Sequence, residues 1–280
     1  MSNLLVFGAS GPVGRRLIPR LTSHRTILVS RSPRNGWFHG DLGDETIRWP
    51  QADAAISLGP LDAFARWLER HSDAPLRRVI ALSSMSAESK QTSDDPHERE
   101  LSARLRDAED TLRRCASARG MALTIFRPTL IYGDGTDRSL APIARFVRRW
   151  HLLPLPVGAT GLRQPVHADD LANAVSTALD RPETHGKTYA LGGGERLPFV
   201  ALLRRLRDAT PGWSLPVPLS LSALVLLTRM MPRGAPNRAA IARLKTDLVA
   251  DIVPAQRDFG YAPRAFTAAD VLPDGKSVYK

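Results

Sequence analysis

The chain has 280 residues, 43% of them hydrophobic, which fits one large or two modest domains and excludes a chain disordered throughout. Its 39 lysines and arginines against 28 acids give a net charge of +11. The arginines are spread from Arg15 to Arg264 without a continuous basic stripe, so no nucleic-acid partner is expected. The single cysteine, Cys115, reads as a packing thiol; it excludes an internal disulfide and a cysteine-cluster metal site, and no metal is expected.

The start, Met1 to Phe7, has no basic stretch ahead of its apolar residues, so no signal peptide is visible. Strand-like runs follow at Leu4–Phe7, Thr26–Val29, Ala54–Leu58, Arg78–Leu82 and Ala122–Arg127, with amphipathic helical patterns at Val13–Thr22, Leu61–His71 and Arg99–Arg119. This alternation predicts an α/β chain with a doubly wound parallel sheet. Between them, Ser86–Glu98 reads as an exposed loop, because Asp94-Asp95-Pro96 discourages helix and strand alike.

From Gly133 the texture changes. Prolines and glycines punctuate Asp134 to Thr160, and shorter helical patterns lie at Ala168–Leu179, Pro198–Ala209 and Asn237–Leu248. The expected division is a nucleotide-binding domain over 1–133 with a returning segment near 163–192, and a small C-terminal substrate-binding region over 134–162 and 193–280. The longest apolar stretch, Leu219–Leu227, is far too short to span a bilayer, and the apolar run Leu219–Met231 that contains it has helical spacing. It reads as a buried or pocket-lining helix, or else as a face toward a membrane or partner. A cytoplasmic protein of unknown oligomeric state is expected.

Gly8-Ala9-Ser10-Gly11-Pro12-Val13-Gly14 follows the first strand and opens the first helix. Glycines at 8, 11 and 14 allow a tight turn, backbone amides close to a pyrophosphate, and close packing of helix on sheet. Gly8, Ser10, Gly11, Pro12, Val13 and Gly14 are therefore candidate dinucleotide-binding residues. An NAD site usually ends the second strand in an acid; here the strand ends Val29-Ser30-Arg31, with no acid. Ser30 can hydrogen-bond a 2′-phosphate and Arg31 can pair with it, which favours NADP(H) over NAD(H). Arg15 offers a second charge.

These residues resemble the short-chain dehydrogenase/reductase superfamily, in its extended or atypical branch of epimerases and dehydratases. Asp41-Leu42 resembles the pair that touches adenine, and Leu58-Gly59-Pro60 stands where the family places a small-residue turn against ribose and diphosphate. Arg127-Pro128, in Arg127-Pro128-Thr129-Leu130-Ile131-Tyr132-Gly133, is similar to the segment beside the nicotinamide. Arg163 to Leu171 resembles the later signature, in which His167 helps position the C-terminal lobe; Asp169 and Asp170 read as helix caps. The resemblance implies a dinucleotide cofactor and a small-molecule substrate.

Family catalysis uses a tyrosine four residues before a lysine, with a Ser or Thr polarising the substrate oxygen. Here Met85, Leu101 and Leu105 stand at those places. Ser84 and Ser86, which flank Met85, and Tyr132, near the expected nicotinamide, are the remaining candidate catalytic residues. Arg104 and Arg106 flank the lysine position. Two expectations follow: an NADP(H)-dependent oxidoreductase or epimerase acting on an organic carbonyl or carbinol, a nucleotide sugar included, or a non-catalytic dinucleotide-binding sensor or assembly protein.

Overall fold

The computed structural model describes residues 3–133, 135–137, 139–229 and 238–272. Short aliphatic runs form β1 (Asn3–Phe7), β2 (Arg25–Ser30), β3 (Phe38–His39), β4 (Ala54–Ser57), β5 (Arg78–Leu82) and β6 (Ala122–Pro128). β4 and β5 are buried at every position, as strands covered by helices on both faces must be. A seventh strand, Lys187–Leu191, joins β6, and the order from there is β6, β5, β4, β1, β2, β3, every pair parallel. The order reverses between β1 and β4, so their C-terminal ends open a crevice at the switch point.

Alternation along β1 divides the core. Leu4 and Val6 pack with Leu17, Ile80, Leu171 and Val175 beneath α1 (Pro12–Leu17) and, later in the chain, the helix Ala168–Leu179. Leu5 and Phe7 pack on the other face with Phe64, Trp67, Leu112 and Cys115, beneath α2 (Leu61–Arg70) and the helix Pro96–Arg119. The first helix stops short of the expected Thr22 because Pro19 cannot donate to the helical ladder; a 3₁₀ turn, Ile18–Arg20, follows.

The loop reading of Ser86–Glu98 holds only in part. A short α3 (Ser86–Ser89) follows β5, and α4 (Pro96–Arg119) starts three residues before the expected Arg99. Asp95 caps it, accepting the His97 N–H at 2.8 Å, and Pro96 occupies the first turn, where a missing N–H costs nothing. Asp94-Asp95-Pro96 is therefore a helix start.

A smaller core lies beyond β6, where Tyr132, Leu140, Val147, Leu153, Leu202 and Phe266 pack together. It is built by α5 (Ala141–Trp150), α7 (Phe199–Ala209) and a two-stranded parallel ribbon, Leu152–Val157 with Leu215–Ser220; α6 is the Ala168–Leu179 helix already placed on the sheet. The ribbon escapes a proline-based reading because Pro154 and Pro156, like Pro216 and Pro218, are two residues apart. That spacing confines the missing donors to one edge of each strand. α8 (Leu221–Arg229) realises the start of the Leu219–Met231 pattern, whose end lies outside the described residues, as does Asn237. The expected Asn237–Leu248 helix is shorter: α9 (Arg238–Ala242) passes into a 3₁₀ turn, Arg243–Lys245, and Leu248 bridges Arg163. Among the described residues no helix is long and apolar enough to cross a membrane.

Candidate functional site

The three loop glycines do three different jobs. Gly8 has φ +76°, and a Cβ there would lie 2.8 Å from the backbone of Leu58 and Gly59, so it lets the ends of β1 and β4 touch at the switch point. At Gly14 a Cβ would lie 2.5 Å from Ala9 Cα, so this residue lets α1 pack on the loop that precedes it. Gly11 is different: a Cβ there meets only the Gly8 carbonyl oxygen at 3.4 Å, so its missing side chain leaves room on the cleft side. That cleft, of about 940 Å³, is lined at its inner end by Gly8, Gly11, Pro12, Val13, Gly14 and Leu58. A cradle that side chains would fill, beneath the opening turn of a helix, fits a dinucleotide's pyrophosphate.

Ser30, Arg31, Asp41 and Leu42 lie at the C-terminal ends of β2 and β3, on the same edge of the sheet as the glycine loop but outside the lining of this cleft. Arg31 is exposed, and Ser30 Oγ accepts the Ser32 N–H at 3.2 Å. Asp41 Oδ1 accepts the Gly43 N–H at 2.8 Å, and Leu42 packs against the aromatic core. Gly59 and Pro60 open onto a smaller hollow of about 250 Å³. Leu101, Arg104 and Leu105 line that hollow too, with Ser83. Leu101 and Leu105, at the positions where the sequence reading expects the tyrosine and lysine, therefore line a space beside Gly59 and Pro60.

In the lining of the main cleft, Ser84, Met85 and Ser86 are half-buried and Pro128 stands beside them. The Met85 N–H donates to the Pro128 carbonyl at 3.0 Å, and Ser84 Oγ accepts the Ser86 N–H at 3.1 Å. Both serine hydroxyls keep a donor for the cleft. Two expectations need correction. Arg127 is not in the cleft lining: its guanidinium turns toward α3 and α4, where Nε donates to Glu109 Oε1 at 2.9 Å and the amino groups pair with Glu109 and Glu88. Glu109 is fully buried and also accepts Ser83 Oγ at 2.6 Å and Arg113 at 3.0 Å. Burial alone would raise its pKa, but these donors outweigh burial and hold it below the usual carboxylate range. Tyr132 lines the cleft as a wall. It is 1% exposed, its hydroxyl accepts the Thr267 N–H at 3.2 Å, and burial pushes its pKa up to about 12, which suits packing and not proton transfer.

His167 caps α6, its Nδ1 accepting the Asp169 N–H at 3.2 Å. Asp169 and Asp170, expected as the caps, instead pair with Arg20 and Arg264 in the helix's first turn. Burial first, then Arg264 and Arg16, hold the His167 pKa below its ordinary value, against the opposing pull of Asp270 and Asp170. The folded state thus resists a proton that the unfolded chain accepts below about pH 6.5. Its contribution to stability is intact at neutral pH and is lost as pH falls below that value. The asparagine variant His167→Asn keeps a capping oxygen and cannot titrate, so its melting temperature should fall less than wild type between pH 7 and about pH 5. Parallel melting curves decide it, and identical slopes would remove His167 from the acid response.

The outer half of the cleft was not legible in the sequence. Lys90, Thr92, Ser139, Arg163, Arg243 and Thr246 line it, drawn from four distant segments. Arg163 donates to the carbonyls of Leu162, Thr246 and Arg243, strapping the last two segments together, and Lys90 and Arg243 both reach Glu98. Asp137 also lies in the lining, and its carboxylate holds the start of α5 by accepting the Ser139, Leu140 and Ala141 amides. An acid just ahead of an apolar helical run was the one available signal, and it marks a cap.

A seven-stranded parallel sheet with a glycine cradle at its switch point defines a Rossmann-type fold. Residues 63–192 match the NAD dependent epimerase/dehydratase family. Among curated proteins, the chain is 28% identical over 160 residues to UDP-glucose 4-epimerase of Vibrio cholerae, covering 52% of this chain and 48% of that protein. It is 29% identical over 256 residues to the mitochondrial NADH dehydrogenase [ubiquinone] 1 alpha subcomplex subunit 9 of Arabidopsis thaliana, covering 77% of this chain and 60% of that protein. The chain thus spans between about half and three fifths of these relatives' length. Its fold is that of UDP-glucuronic acid 4-epimerase from Bacillus cereus in complex with NAD (TM-score 0.70, 14% identity, 96% of this chain and 94% of that one). It is equally that of RMD from Pseudomonas aeruginosa complexed with NADPH (TM-score 0.70, 16% identity, 97% of both chains). The superfamily resemblance carried by the sequence motifs therefore stands in a family match and in the fold.

Proposed function

We propose that the chain binds NADP(H) along the glycine cradle and acts on an organic carbonyl or carbinol, a nucleotide sugar among the candidates, held in the rest of the same cleft. The observation that carries this reading is continuity: the glycine loop and a polar wall, in which Lys90, Arg163 and Arg243 stand beside Glu88, Asp137 and Asp247, belong to one space of about 940 Å³. The NAD and NADPH complexes among the structural neighbours, and the epimerase among the relatives, support it. A bound nicotinamide supplies hydride exchange with the substrate carbon. The chain's own part is to orient the dinucleotide on Gly8, Gly11 and Gly14, to wall the reacting zone with Met85, Pro128 and Tyr132, and to offer the Ser84 and Ser86 hydroxyls to the substrate oxygen. The division into a nucleotide half and a substrate half, and a cytoplasmic location, belong to the same proposal.

The second reading is a non-catalytic holder of the dinucleotide. Leu101, Leu105 and Met85 in place of the acid–base set favour it, and so does the likeness to a respiratory-complex subunit over most of the chain. A panel of sugar nucleotides, ketones and aldehydes scanned for NADPH oxidation separates the two. Turnover that disappears in Ser84→Ala or Ser86→Ala supports the enzyme; tight NADPH binding without turnover supports the holder. Cofactor choice has its own test. Arg31→Glu should weaken NADPH binding by about tenfold to a hundredfold, through loss of a charge-assisted contact and repulsion of the 2′-phosphate, while NADH changes little. Equal losses for both coenzymes would take away the basis for preferring NADP(H).

A further inference from the structure

The net charge is not distributed as the scattered arginines suggest. Residues 138–168 and 209–246 together contain ten lysines and arginines and neither Asp nor Glu. The rest of the chain carries 29 lysines and arginines against 28 acids, so nearly the whole excess resides in these two acid-free segments. They are far apart in sequence, yet they pair strand to strand as the Leu152–Val157 and Leu215–Ser220 ribbon.

Among the described residues, six of the seven large exposed apolar side chains gather on that ribbon and its flanks, Val253 being the exception. Trp150 is 59% exposed, Trp213 72% and Leu226 62%, with Leu152, Val157 and Leu215 also exposed. The tryptophans are held in place: His151 stacks on Trp213 with centroids 5.2 Å apart, Arg149 lies over Trp150 at 5.2 Å, and the Leu215 N–H donates to the His151 carbonyl at 2.8 Å. Arg145, Arg148, Arg149, Arg238 and Lys245, from the same two segments, are exposed.

We propose that this face docks on an anionic lipid surface, with the two indoles at headgroup depth and the arginines on the phosphates. Amphipathic tryptophan rings favour the water–lipid interface, and clustered cations favour anionic headgroups. Charge complementarity selects this occupant. A second copy docked on the same ribbon would set one cationic segment against another and be repelled. A nucleic acid would engage the arginines and leave Leu152, Val157, Leu215 and Leu226 in water. A lipid surface covers both kinds of group. The inference is independent of the dinucleotide reading, since none of the exposed residues named here lines the main cleft.

Co-sedimentation with phosphatidylcholine vesicles, with and without phosphatidylglycerol, tests it. The expected result is at least ~tenfold more protein bound to the anionic vesicles at low salt, a loss of that excess at high salt, and a blue shift of tryptophan emission on binding. The double variant Trp150→Ser/Trp213→Ser should lose about tenfold in binding and the emission shift, while Arg148→Glu/Arg149→Glu should lose the preference for anionic lipid. All four positions are on the surface, so unchanged melting temperatures show that the fold persists in each variant. Absence of vesicle binding at low salt, binding indifferent to the tryptophan substitutions, or preference for a duplex oligonucleotide over vesicles would each overturn the proposal.

Discussion

Replacing Gly11 by aspartate should cost at least a hundredfold in dinucleotide affinity while leaving the fold intact. Gly11 is the N-cap of α1, in extended backbone at φ −75°, and has no side-chain cap. An added Cβ meets nothing nearer than 3.4 Å, and aspartate is a favourable N-cap, so Gly11→Asp should melt no lower than wild type. Its carboxylate would enter the space proposed for the pyrophosphate. Two like charges about 4 Å apart at an effective dielectric near 20 repel by about 4 kcal/mol, more than the ~2.7 kcal/mol that a hundredfold loss requires. NADPH titration and a melting curve on the same preparation read the two effects separately. Unchanged affinity would place the nucleotide elsewhere. Gly14→Ala is the counter-experiment, since its Cβ would meet the Ala9 backbone at 2.5 Å and should damage the fold first.

The largest stability effect is expected at Glu109. Its fully buried carboxylate accepts from Ser83, Arg113 and Arg127, and Arg127 is itself mostly buried. Glu109→Ala would leave the Arg127 guanidinium with the exposed Glu88 as its one ion-pair partner among the described residues. Removing one member of a buried pair typically costs about 3–5 kcal/mol, because the remaining charge stays desolvated. Urea unfolding should show that loss as a lowered midpoint at constant slope. Glu109→Gln, which keeps the shape and loses the charge, should fall between the two. A loss below about 1 kcal/mol in Glu109→Ala would show that Arg127 swings out to water and that the network contributes little. The larger loss would give Arg127 a structural part in the Arg-Pro motif, fixing the end of β6 so that Pro128 walls the cleft.

What was legible in the sequence follows the range of the interaction concerned. The glycine loop, the alternation of strands and helices and the bounds of β5 and α6 depend on local backbone chemistry and period, and the structure carries them. The absence of a tyrosine between Met85 and Tyr132 was equally plain, and Leu101 and Leu105 face the hollow beside Gly59-Pro60. Side-chain direction was not legible. Arg127 and Tyr132 stand in the right motif, but their orientation is set by Glu109 and Thr267, 18 and 135 residues away. The proline-rich ribbon hid because composition masks which edge of a strand its missing donors occupy. The N-terminus of α4 hid because an aspartate–proline pair punctuates loops and caps helices with the same residues. The concentration of positive charge became visible only when the two acid-free segments were seen to pair.

Titration of the purified chain with NADPH, NADP+, NADH and NAD+ bears most directly on the account. One NADPH per chain should bind with a dissociation constant of about 10 μM or tighter, and NADH at least roughly tenfold more weakly. No detectable binding of any of the four would contradict it.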